Sequence, residues 1–114
     1  MEKITRKEFT EILTNNKTVL AGSVFRWNDE KCIAGMENIK SVNENAERRK
    51  VTEKHSNYIV FSNGSRLYFD QEGKKEYFSY KNGNGIQFVI QRTEIFDDFD
   101  GKFDLNYIVY IVTK

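Results

Sequence analysis

Residues 57–80 read NYIVFSNGSRLYFDQEGKKEYFSY, and this stretch decides the fold class. Two apolar runs, YIVF and RLYF, flank Asn63-Gly64 within Ser62-Asn63-Gly64-Ser65. Asn-Gly between such runs is the strongest short-range hairpin signal, because both residues tolerate the positive φ that tight turns require. A second turn, Gln71-Glu72-Gly73-Lys74, leads into KEYFSY, which ends in a third, Lys81-Asn82-Gly83-Asn84-Gly85. Turns this close together imply strands paired with their sequence neighbours, an antiparallel meander. The strand candidates are residues 50–55, 57–61, 66–70, 75–80, 86–92 and 106–112. The last, NYIVYIV, is the most apolar and belongs inside a sheet or under a helix, since an exposed edge of that composition invites aggregation.

Upstream, the pattern is helical. Thr5-Arg6-Lys7-Glu8 fits a capping box, with Ile4 and Phe9 at the two positions of a hydrophobic staple. Phe9, Ile12 and Leu13 then form one stripe, and Asn15-Asn16 suits a helix end, which predicts a helix over 6–15. Residues 18–27 alternate, with apolar residues on both faces, as a covered central strand does. After Asn28-Asp29, Cys32, Met36 and Ile39, with Ile33 and Val42 nearby, suggest a second helix, which Gly35 weakens by roughly 1 kcal/mol relative to Ala. Residues 43–47 and 93–105 read as loops, the second long, acidic and aromatic. The expectation is one α+β domain over residues 1–114. It holds an antiparallel β-meander sheet of about five to seven strands, with one or two N-terminal helices packed on it.

A chain of 114 residues buries roughly two-thirds of its unfolded surface, enough for a core without staples. The single Cys32 forbids an internal disulfide and fits a reducing compartment. MEKITRKEFTEIL has no apolar segment of a signal peptide, and no apolar run reaches the ~20 residues of a membrane span, so the expected location is cytoplasmic. The net charge of +1 gives no bulk attraction to nucleic acid, but it hides an asymmetry. Residues 48–54 carry four bases and one acid, a net of +3, whereas residues 94–104 carry five acids and one Lys, a net of −4.

Catalytic material is sparse. One His55 and one Cys32 make a nucleophilic dyad only if they meet in space, and they supply two zinc ligands at most. Cys32 reads better as a small core residue and His55 as a strand residue near the basic stretch. Asp98-Phe99-Asp100-Gly101 superficially resembles a calcium loop. An EF-hand with Gly101 at its sixth position would need ligands at Phe96 and Tyr107, which neither can provide. Asn82–Gly85 lacks the Lys-Ser/Thr of a phosphate loop and lies between strands. No cofactor, metal or enzymatic activity is expected.

Two binding readings follow. In the first, the carboxylates Asp97, Asp98 and Asp100, interleaved with Phe96, Phe99 and Phe103, dock to a basic protein surface. The contact is expected at Asp97, Asp98, Phe99 and Asp100. The competing reading folds the three Phe back to cap the core. In the second, Arg48, Arg49, Lys50 and Lys54 hold the phosphates of a single-stranded nucleic acid, while strand aromatics such as Tyr58, Tyr68, Tyr77 and Tyr80 stack its bases. The competing reading places those tyrosines in the core.

MEKITRKEFTEILTNN at the start, FSNGSRLYF at 61–69 and NYIVYIV at 106–112 resemble segments of small accessory proteins from bacteriophages and mobile elements of low-GC Gram-positive bacteria. The resemblance implies an orphan binder, among which are anti-defence inhibitors such as anti-CRISPR proteins. It assigns no residue a role. With the residues, it gives the expectation of a non-enzymatic protein-binding factor that inhibits a host CRISPR-type, nucleic-acid-directed system. Its partner is then a host protein, a nucleic-acid-binding effector, with no membrane involved. The alternative is a single-stranded nucleic-acid-binding domain. Oligomeric state is left open.

Overall fold

The computed structural model describes residues 1–15, 18–20, 29–41, 48–71, 73–97 and 99–113. Two helices, α1 (Arg6–Asn15) and α2 (Asp29–Asn38), accompany two antiparallel sheets. Six strands form the larger sheet: β1 (Glu2–Ile4), β2 (Thr18–Leu20), β3 (Arg48–Arg49), β7 (Lys74–Lys81), β8 (Gln87–Asp97) and β9 (Lys102–Thr113), in the order β1-β7-β8-β9-β2-β3. The smaller sheet is β4 (Val51–Lys54), β5 (Tyr58–Phe61) and β6 (Arg66–Tyr68), in chain order. The expected α+β antiparallel architecture is present, as two meanders, β4-β5-β6 and β7-β8-β9, instead of one.

The period-two pattern explains the layers. Along β9, Ile108, Tyr110 and Val112 join one core cluster, while Tyr107, Val109 and Ile111 join the other. The first cluster packs the larger sheet against Phe9 and Leu13 of α1 and against Ile59, Phe61 and Leu67 of the smaller sheet. The second packs its opposite face against Cys32 and Met36 of α2. The larger sheet is therefore the middle layer. NYIVYIV occupies the interior position expected of it, with β8 and β2 as neighbours.

Local chemistry sets the elements. Thr5 N–H donates to Glu8 Oε1 at 3.2 Å and Glu8 N–H donates to Thr5 Oγ1 at 3.1 Å, the reciprocal capping box. Ile4 packs with buried Phe9 in the same cluster, as a staple should. At the Asn63-Gly64 corner, Gly64 N–H donates to Phe61 O and Phe61 N–H to Ser65 O, both at 2.9 Å. Gly64 at φ +85° supplies the left-handed position that closes this three-residue loop. Asn82–Ile86 repeats the same pair of bonds.

Several expectations are corrected. The expected strand over 50–55 is β4, but the basic stretch 48–54 is divided between the sheets: it leaves the larger sheet after Arg49 and enters the smaller one at Val51. At the crossing, Lys50 N–H donates to Ser62 Oγ at 3.1 Å and Lys50 O accepts from Ser62 N–H at 2.7 Å. β6 does not pair with β7; they belong to different sheets, joined where the buried Gln91 Nε2 donates to Tyr68 O at 2.9 Å. Strand β1, not anticipated, lies along β7. The expected loop over 93–105 is instead the continuation of β8 and β9, because two long strands already in register keep pairing through acidic positions of low strand propensity. The expected strand over 18–27 is described only as β2, and its remainder, the Asn28 cap and Val42 lie outside the described residues. No helix among the described residues is long and apolar enough to cross a membrane.

Candidate functional site

β7 ends its pairing with β8 at Lys74–Glu94, but β8 and β9 continue through Ile95–Asp104, Phe96–Phe103 and Asp97–Lys102. Three further pairs make a two-stranded ribbon that extends ~10 Å past its neighbour before the turn. Gly73 fixes the base of this ribbon by lying against the Glu94 carbonyl and the Ile95 backbone. At the tip, Phe99 is wholly exposed and Phe96 is half exposed, at 100% and 50%. Neither folds back to cap the core. Asp100 is exposed beside them, and Asp97 sits at the last register position of β8. Asp98 lies outside the described residues. The three described contact positions, Asp97, Phe99 and Asp100, therefore cluster at the end of a projecting hairpin.

The basic stretch divides. Arg48 and Lys50 are exposed. Arg49 is half-buried and structural: its Nη1 donates to Ser65 Oγ at 3.1 Å, and its guanidinium lies 6.0 Å from the Phe61 ring centroid. Lys54, at the far end of β4, turns toward α1 and lines a cleft with Arg6, Lys7, His55 and Phe69. Sequence reasoning missed Arg6 and Lys7. The available signal was two cations in the first helical turn, where the helix dipole disfavours them.

Of the four tyrosines, Tyr77 is buried, with burial pushing its pKa up, while Tyr58, Tyr68 and Tyr80 are half-buried. Tyr80 packs against the α2 cluster. Tyr58 and Tyr68 are register partners on the face of the smaller sheet opposite Ile59 and Leu67. Their ring centroids are 5.4 Å apart, and Tyr58 stacks on His55 at 4.4 Å with the Arg66 guanidinium 5.0 Å from its centroid. His55 is a turn residue rather than a strand residue: its N–H donates to Tyr58 O at 2.9 Å.

On the α2 face of the larger sheet, Glu76 accepts from Arg92 Nη2 at 2.9 Å and Lys3 Nζ at 3.1 Å. The hydrogen bond from Arg92, then that from Lys3, holds its carboxyl below the usual carboxylate range. Cys32 is buried beneath α2, whereas His55 lies on the other side of the larger sheet, so the two do not form a dyad. Among the described residues no group of three or more His, Cys, Asp or Glu is placed to hold a metal ion. No family model, curated protein or solved structure matches this chain.

Proposed function

We propose that this protein is a non-enzymatic binding factor that docks a partner protein through the β8–β9 hairpin. The observation that carries the reading is Phe99, wholly exposed at the tip of a ribbon whose residues 94–104 hold a net charge of −4. Exposing a phenyl ring to water is unfavourable, and aromatic anchors amid polar residues are what interface centres use. The carboxylates steer the hairpin toward a basic surface and speed encounter at low salt. A nucleic-acid-binding effector of a host CRISPR-type defence presents such a surface, and the resemblance to phage and mobile-element accessory proteins points to the same partner class. The test is affinity capture from the host with wild type and with Asp97→Lys plus Asp98→Lys. The variant folds as wild type and loses the partner; undiminished capture refutes the reading.

A second reading is favoured by the Tyr58–Tyr68 pair, with His55 stacked at one end and Arg66 above it. Aromatic faces beside cations on a small sheet suit single-stranded nucleic acid. Affinity for a mixed oligonucleotide should fall steeply with salt as counterions are released. Absence of binding at low salt removes this reading.

A further inference from the structure

We propose that two clefts meeting at Arg6 form one groove for the phosphate backbone of a single-stranded nucleic acid, an inference that rests on the second reading above. The first cleft, about 390 Å³, is lined by Arg6, Lys7, Lys54, His55 and Phe69. The second, about 460 Å³, shares Arg6 and Phe69 and adds Lys3, Lys74, Lys75 and Glu76. The two clefts share Arg6 and Phe69 and are lined by six side chains with fixed positive charge, Lys3 among them being paired with Glu76, on a chain whose net charge is only +1. The one carboxylate among these residues, Glu76, is already neutralised by Arg92 and Lys3. Concentrated like charge in a concave surface focuses positive potential and raises the local concentration of anions.

The geometry favours an extended ligand over a compact one. Small-molecule sites enclose most of their ligand, whereas two clefts that share Arg6 and Phe69 offer an extended ligand a path from one to the other. Arg6 is held ready between them: its Nη2 donates to the Ser56 carbonyl, and its guanidinium lies 4.3 Å from the Phe69 centroid. Phe69 is therefore the floor that fixes Arg6 and is not itself a stacking surface. His55 joins the two halves of the site, since it lines the first cleft and stacks on Tyr58 with an interplanar angle of 20°. Phosphates lie along Lys54, Lys7, Arg6 and Lys74, and bases reach the His55–Tyr58–Tyr68 ladder. This shifts the path away from Arg49, which is half-buried where Arg6 is exposed.

The test is fluorescence anisotropy of labelled twelve-nucleotide oligo-dT with the full chain at two salt concentrations. Lys7→Glu plus Lys54→Glu alters two exposed side chains and leaves the circular dichroism unchanged. It should weaken binding by about tenfold or more and flatten the slope of log affinity against log salt by about 1.4, roughly 0.7 per lost phosphate contact. Arg48→Glu plus Lys50→Glu, also exposed, should weaken binding by less than about threefold. The reverse ranking overturns the groove while leaving nucleic-acid binding in place. No binding by wild type at the lower salt overturns both. Equal displacement of oligo-dT by polyglutamate of the same charge also overturns the proposal, since the groove would then take any polyanion.

Discussion

The side-chain nitrogen of Asn82 lies 2.9 Å from the main-chain oxygen of Met36, which ties the β7–β8 turn to the last turn of α2. The same nitrogen donates to Ile39 O at 2.8 Å, and Asn82 Oδ1 accepts from the N–H groups of Asn84 and Ile86 at 2.9 and 3.0 Å. Both donors and both lone pairs of one buried amide are therefore used, closing a hairpin and satisfying carbonyls that a helix end leaves open. Asn82→Ala should lower stability by about 3 kcal/mol, because it leaves several buried groups unpaired. Asn84→Ala, which removes one exposed bond to Ile39 O, should cost under about 1 kcal/mol. Urea unfolding of the two variants gives the comparison.

Gly73 brings the same kind of backbone constraint to the base of the β8–β9 hairpin. It sits at φ +91°, and a Cβ there would approach Glu94 O to 2.2 Å. The obstacle is backbone within β8, so it cannot swing aside. Gly73→Ala should destabilise by about 3 kcal/mol or more and shift amide resonances at the hairpin base. Gly64→Ala is the control. Its φ is +85°, but a Cβ meets nothing within 4 Å, so only the left-handed penalty of about 1–2 kcal/mol applies.

Acid should weaken the fold through Glu76. Its carboxyl is held below the ordinary value of 4.5 by hydrogen bonds from Arg92 and Lys3. A carboxylate with a depressed folded-state pKa contributes its stabilisation above its unfolded pKa and loses it as pH falls through the folded one. Stability of wild type should therefore drop on acidification below about 4.5, and Glu76→Gln should show a shallower drop. Thermal unfolding of both proteins across that window checks the sign. Parallel curves would mean that the triad contributes nothing.

The parts of the fold legible in the sequence were those set by short-range chemistry. Thr5 and Glu8 announced α1 through the capping box, and Asn63-Gly64 announced the β5–β6 hairpin. The three residues of β1 carry a single half-buried apolar position, Ile4, so nothing local distinguishes them from a tail; only pairing with β7 makes them a strand. The break at Lys50 that separates the sheets depends on Ser62, a residue of the β5–β6 turn. Residues 93–105 looked like a solvated loop because Asp is a poor strand former. Their pairing is inherited from the long, apolar register between β8 and β9, which a local window does not see.

The candidate sites follow the same division. Phe99 and its carboxylates are neighbours in sequence, and their charge and aromatic content marked them directly. The cleft needed Arg6 and Lys7 to meet Lys54 and His55, nearly half the chain away, which tertiary packing alone achieves. Arg49 and Lys54 looked equivalent in the basic run, yet one is spent on Phe61 and Ser65 while the other faces α1.

The claim that the β8–β9 hairpin is the docking element is tested most directly by photo-crosslinking in the host from a benzophenone side chain placed at Phe99, with the exposed Glu37 on α2 as the reference position. The account predicts one discrete heavier adduct from position 99, diminished by Asp100→Lys in the same chain, and none from position 37. Equal labelling from both positions, or none from position 99, would contradict it.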